Sequence, residues 1–331
     1  MSDDRLPPEN ADDESHSNPR GGASITQLAM MAMAIVVSGY LLLNLIGDAA
    51  SWHLAAAQEH NLERNRDDTN GQLKLALESI DAAVAADPKN LMYLQRRSLW
   101  RRDAGDFEGA LRDIELIEAQ IPTGDEGFQS RIGVLQLRGL IYQRQGKHAE
   151  AVVEQTRMID RLAKRYEGVT SMEDYSTAMS LALNNRAYFR AVGNLELEEA
   201  LKDIDESLKL AGYEDGKPSP YSTQDEAVKR DTRGYLRYLL GDYQGALNDM
   251  ERAIQVAENS YSILRMKVMN ESRTVVDRRP IDLHMREYEE NLAVLYHHRG
   301  LIFDKIGRRF DAQVDFDRAK RMGYNPARGV F

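Results

Sequence analysis

Apolar residues are distributed along this chain in three regimes. Residues 1–24 hold almost none. Ile25 to Ile46 then reads ITQLAMMAMAIVVSGYLLLNLI, with no charged residue between Arg20 and Asp48. Farther on, apolar residues return at helical intervals among charged ones, as in Leu73, Ala76, Ile80 and Ala83, which places them on one face of an amphipathic helix. The pattern predicts a polar tail, one apolar helix and a long helical body.

The tail carries Asp3, Asp4, Glu9, Asp12, Asp13 and Glu14 among prolines and glycines, and has too little apolar surface to repay the entropy of ordering. A disordered acidic tail over 1–24 is predicted, with a docking peptide for a basic partner as the other reading. As a helix, the 22 residues from Ile25 to Ile46 would reach about 33 Å, close to the ~30 Å hydrocarbon core of a bilayer. Residues 25–47 are read as an uncleaved signal anchor forming a single transmembrane helix. A buried core helix and a cleaved secretory signal are its rivals; acidic residues precede the span where a signal peptide has a basic leader. Arg20 lies just before the span and the first base after it is Arg64. That asymmetry favours a cytoplasmic amino end and an extracytoplasmic soluble domain. Residues 48–69 read as a stalk or a degenerate first helix.

From residue 70 to 331 a unit recurs. Its cleanest copy is RGYLRYLLGDYQGALNDMERAI, Arg233 to Ile254, with Gly234, Gly241, Asp242, Tyr243, Ala246, Met250 and Ala253. Leu91 to Pro122 repeats it with Ser98, Gly105, Asp106, Phe107, Ala110 and Ile114, and puts Ile117 where the other copy has alanine. Half a unit precedes it in Leu73, Ala76, Ile80, Ala83 and Pro88. Looser copies contain Gly139, Gly146 and Ala151; Ala187, Gly193, Asn194 and Ala200; and Gly300, Gly307, Ala312, Phe316 and Ala319. This unit resembles the tetratricopeptide (TPR) repeat. The alanines Ala76, Ala110, Ala151, Ala200, Ala246 and Ala312 stand at successive intervals of 34, 41, 49, 46 and 66 residues. Only the first interval is the family's own length, so insertions fall between units. The stretch Glu258 to Arg279, before Pro280, is long enough to conceal a further degenerate unit.

The resemblance implies an all-α fold: a TPR-like helical solenoid, preceded here by the single transmembrane helix. Two helices per unit meet at a small residue, and stacked units form a groove lined by their first helices. Matching this chain to the family's groove-facing places gives Gln95, Arg102, Gln136, Gln143, Asn184, Tyr188, Asp231, Tyr235, Tyr238, His297 and Asp304. Tyrosine supplies rigid area with a polar tip, and amide side chains can pair with a peptide backbone. The Lys, Asn and Arg clamp with which some family members hold a terminal carboxylate is not reproduced.

The expected function is therefore a membrane-tethered scaffold binding peptide or protein partners, in a setting such as envelope assembly or quality control. A structural subunit of a stable membrane complex, or an accessory to an enzyme or transporter, is the alternative. Oligomeric state is left open. Composition narrows the field. Lys plus Arg is 43 against 53 for Asp plus Glu, a net charge of -10, which disfavours a nucleic-acid partner. Cysteine is absent, excluding disulfides and thiolate chemistry. No phosphate-binding loop, HExxH helix or GxSxG elbow occurs, and neither enzyme activity nor a cofactor is expected. Adjacent His297 and His298 project about 100° apart on a helix and make a poor metal pair; they read as surface or groove histidines. Asp203 with Asp205, and Asp315 with Asp317, read as solvated acids. Arg101 and Arg102 beside Asp103, and Arg308 and Arg309 before Asp311, read as charged helix faces.

Overall fold

The computed structural model describes residues 53–56, 69–167, 173–213, 215, 224–271 and 279–324, all within one compact unit, Ala50–Phe331. The predicted tail (1–24) and anchor (25–47) lie outside the described residues. Among the described residues no helix is long and apolar enough to cross a membrane.

The described body is an all-α solenoid. Helix α1 (Thr69–Ala86) is followed by five antiparallel pairs: α2 (Leu91–Asp103) with α3 (Phe107–Glu118), α4 (Phe128–Arg144) with α5 (His148–Arg165), α6 (Glu173–Gly193) with α7 (Leu197–Leu210), α8 (Gln224–Leu240) with α9 (Tyr243–Glu271), and α10 (Arg279–Lys305) with α11 (Arg309–Arg321). Each helix packs on its neighbours in sequence. The first helices of successive pairs also touch, α2 with α4, α6 with α8 and α8 with α10, whereas the second helices have no comparable mutual contact among the described residues. The first helices therefore line the tighter side of the array. Leu54, in the helical fragment 53–56, packs against the first core cluster.

The turn within each pair follows from two residue types. Gly105, Gly146, Gly241 and Gly307 adopt φ between 78° and 86°, a region that a side chain disfavours. In the α6–α7 turn Asn194 takes that conformation instead, at φ 52°, and Glu196 follows at 42°. In two turns an aspartate then caps the next helix: Asp106 accepts from the Gly109 N–H and Asp242 from the Gly245 N–H, each at 2.9 Å.

The crossing alanines pack as the repeat predicts. Ala76, Ala110, Ala151, Ala200 and Ala246 are completely buried and Ala312 nearly so, with Ile117 also buried. Opposite them the first helix needs a small residue. A Cβ on Gly234 would stand 2.9 Å from the Met250 methyl, and one on Gly300 would enter the Phe316 ring at 2.6 Å. Ser98 uses the same place to donate to the Ala110 carbonyl at 3.1 Å.

A second repeat pattern is ionic. One residue before each close-contact position stands an arginine, and three residues after every crossing alanine from Ala110 onward stands an acid; the structure joins them. Arg97 grips Asp113 through Nε and Nη2 at 3.0 and 2.6 Å. Arg186 grips Asp203 at 2.8 and 2.7 Å, Arg233 grips Asp249 at 2.9 and 2.7 Å, and Arg299 grips Asp315 at 2.7 and 2.9 Å. Arg138 and Glu154 make a looser version at 3.6 Å. A second arginine one turn on adds to three of these acids: Arg101 to Asp113, Arg190 to Asp203 and Arg237 to Asp249. These acids are buried, and the fork geometry satisfies the four aspartates, whose carboxylates would otherwise be costly to desolvate; Glu154, which has no fork, keeps Oε2 without a hydrogen bond.

Two expectations are corrected here. Asp203 and Asp315 are not solvated acids: their side chains face the partner helix and each receives an arginine fork, while their neighbours Asp205 and Asp317 are exposed. Arg101 is likewise more than a charged face, since its guanidinium bridges Asp113 and Asp81 at 3.0 and 3.1 Å. Arg308 does pair with Asp311 on an exposed surface, at 2.7 Å. A third correction concerns residues 258–279. Residues 258–271 continue α9, and Arg279 begins α10, so the described residues hold two helices of 29 and 27 residues and no added pair. Pro280 falls in the first turn of α10, where its missing N–H costs nothing. Tyr261 donates to Glu289 at 2.6 Å and Tyr296 donates to Glu258, tying the lengthened helices together.

Candidate partner-binding face

The predicted groove residues divide by where the solenoid carries them. Gln95 and Asp304 are exposed near opposite ends of the array. Arg102 is half-buried and turned onto Asp103 at 2.6 Å. Gln136 and Gln143 are half-buried on α4, and Asn184 is buried on α6. The structure gathers the others. Helices α6, α8 and α10 bring Tyr188, Asp231, Tyr235, Tyr238 and His297 to one neighbourhood, joined there by two residues outside the predicted set, His298 and Tyr324.

Contacts within this cluster are mainly between rings. Tyr235 stacks on His298 with centroids 4.7 Å apart and 20° between planes. His297 stacks on Tyr324 at 4.1 Å and 18°, and meets Phe316 at 5.4 Å. Tyr235 and Tyr238 stack at 6.1 Å, and Tyr238 leans on Tyr243 at the same distance. Offset stacking of this kind holds side chains in place while leaving their tips polar. Beneath the rings lies Asp231, with 0 % of its surface exposed. His298 Nδ1 donates to its Oδ1 across 2.7 Å, a 67-residue span in sequence. Among the described residues Asp231 Oδ2 meets no donor.

Burial sets the electrostatics. Desolvation pushes the Tyr188 phenol well above its usual range, with the Asp231 charge adding to the effect. Tyr235 and Tyr324 are raised for the same first reason, and Asp231 contributes to both. His297 is drawn down to about 4 by burial and by its neighbour His298. The face therefore presents neutral phenols and a neutral imidazole around a buried acid. His298 is neither a surface nor a groove histidine, as the sequence suggested, but a buried ligand of Asp231. Its adjacency to His297 was visible in the sequence; its long-range partner was not. Tyr324 lies beyond the residues by which the sequence marks the last unit. Gly323, at φ 88°, turns the chain so that Tyr324 comes back onto α10.

A separate cavity of about 440 Å³ opens between α6 and α8, lined by Ser176, Ser180, Leu181, Tyr213, Asp225 and Lys229 among others. Three of its polar groups are paired within the protein, Ser180 with Ser207 and Lys229 with Asp225. None of the predicted groove residues lines it. Among the described residues no group of three or more His, Cys, Asp or Glu is placed to hold a metal ion.

No family model matches the chain, and no curated protein matches it. Solved structures do. BtubC (BKLC) from P. vanneervenii is 18% identical, covers 85% of this chain and 94% of its own, and has a TM-score of 0.46. A tetratricopeptide repeat protein from Parabacteroides merdae is 16% identical, with 84% and 95% covered and a TM-score of 0.41. The TPR2AB domain of yeast Sti1, in complex with pHSP90, is 14% identical, with 83% and 99% covered and a TM-score of 0.28.

Proposed function

We propose that the protein is a membrane-tethered scaffold that binds a polypeptide partner along the first helices of its solenoid. The observation that carries this reading is the convergence of Tyr188, Tyr235, Tyr238 and His297, from three successive first helices, around Asp231. Such a patch combines rigid aromatic anchors with polar tips, the chemistry enriched where proteins bind one another. The apolar run Ile25 to Ile46 would hold this face beside a bilayer, which raises its local concentration for partners in the same membrane. With Arg20 retained on the cytoplasmic side, the solenoid would stand on the outer side.

A photoreactive residue at Tyr238 should crosslink a partner in intact membranes, while one at the exposed, remote Glu108 should not. Identical crosslinking from both sites, or none from Tyr238, would remove the reading. Topology has its own readout. An accessibility tag after Phe331 should be labelled by a reagent confined to the outer face, and protection of the tag would reverse the orientation.

A further inference from the structure

The buried acids of this solenoid follow a common habit. Asp113, Glu154, Asp203, Asp249 and Asp315 each meet an arginine of their own pair, and Glu226 is reached by Arg230 at 2.9 Å and Arg252 at 3.0 Å. Asp231 departs from it. It is as deeply buried as any of them, yet among the described residues it meets no arginine: His298 holds Oδ1 and Oδ2 has no donor, whereas Glu154, whose Oε2 also lacks a hydrogen bond, keeps the Arg138 charge 3.6 Å away. A buried carboxylate with an open oxygen and no cation beside it is costly, and a cation brought from outside would relieve that cost. Tyr188, Tyr235 and Tyr324 lie near enough for the Asp231 charge to act on their phenols, and Tyr235 stacks on the His298 ring that holds Oδ1. Aromatic faces attract cations, and burial strengthens the attraction. Tyr235 and Tyr324 are half-exposed and Asp231 is fully buried, so a ligand reaches the acid only if side chains of this cluster move.

We propose that Asp231 and its tyrosine wall form a receptor for a lysine side chain of the bound polypeptide. This deepens the partner-binding reading and rests on it. Lysine fits better than arginine because His298 already occupies one carboxylate oxygen. The remaining oxygen suits the point charge of an ammonium, whereas a guanidinium would meet it through one nitrogen only, as Arg190 and Arg237 meet Asp203 and Asp249, and would lose its fork. The chain's net charge of -10 further favours encounter with a basic partner.

The test uses the full-length chain in neutral detergent, with 3-fluorotyrosine in place of tyrosine and resonances assigned by single Tyr→Phe changes. Three probes are titrated: acetyl-Gly-Lys-Gly-amide, its arginine analogue, and its norleucine analogue, which keeps the length of lysine without the charge. The lysine probe should shift the Tyr188, Tyr235 and Tyr324 fluorine signals saturably, with affinity at least about tenfold above the norleucine probe and above the arginine probe. Asp231→Asn should abolish that preference, while Glu198→Gln on the exposed face of α7 should keep it. Equal shifts from the lysine and norleucine probes overturn the proposal without recourse to any variant, and so does a lysine preference that survives Asp231→Asn. A Tyr238 crosslink without lysine preference would sink this inference alone; loss of the crosslink as well would remove the scaffold reading.

Discussion

Asp249 serves Arg233 and Arg237 together, and its removal would take away the one buried acceptor they share, leaving Arg233 to the exposed Asp205 and Asp215. Asp249→Ala should therefore lower stability by about 3–5 kcal/mol, while Asp317→Ala, on an exposed face, should stay within ~0.5 kcal/mol. Urea melts of the two variants give the comparison. The acids were visible in the sequence, but their burial was not, because neighbouring aspartates such as Asp203 and Asp205 look alike until the partner helix is placed. His297 supplies a test in pH. Its folded value is about 4, below the ordinary ~6.5 of an unfolded chain. Between those two values the unfolded state binds a proton that the folded state refuses. Stability should thus fall as pH drops from about 6.5 toward 4. His297→Phe, which keeps the ring on Tyr324, should flatten that fall in melts recorded across the window. An unchanged slope would show that other groups cause it.

At the scale of the helices, the crossing alanines decide how close each pair can come. Ala246 is completely buried and packs in a cluster with Met250, Ala253 and Tyr296. Ala246→Leu should force the α8–α9 pair apart at a cost of about 1–3 kcal/mol, read as a lowered midpoint in a circular dichroism melt. These alanines, the turn glycines and the small residues opposite them were legible because each position answers to a local steric demand. Gly241 had to turn and Gly234 had to leave room for Met250. The long α9 and α10 were not legible. Extra residues between Ala246 and Ala312 could have formed another pair or lengthened two helices, and periodicity alone does not distinguish these outcomes. Tyr261 and Glu289, 28 residues apart, settle the matter only once they meet.

For the molecule as a whole, the groove frame read from the sequence brought Tyr188, Asp231, Tyr235, Tyr238 and His297 into one cluster and left Gln95, Arg102, Gln136 and Asp304 outside it. The frame assigns a face to each helix; it does not say how far successive pairs rotate, and that rotation determines which side chains converge. Changing Tyr235 and Tyr238 together to alanine should reduce partner capture at least about tenfold, the loss expected on truncating aromatic anchors. The melting midpoint should move less than it does for Ala246→Leu. Equal losses of stability would assign the two rings to packing.

Each arginine fork closes on an acid in its own pair, so closure does not wait on helices added later. A chain stopped after Ala211 keeps Arg97 with Asp113, Arg138 with Glu154 and Arg186 with Asp203. It should still melt cooperatively, at a lower temperature. Length is then an adjustable property of this protein, open to trimming or extension by whole hairpins.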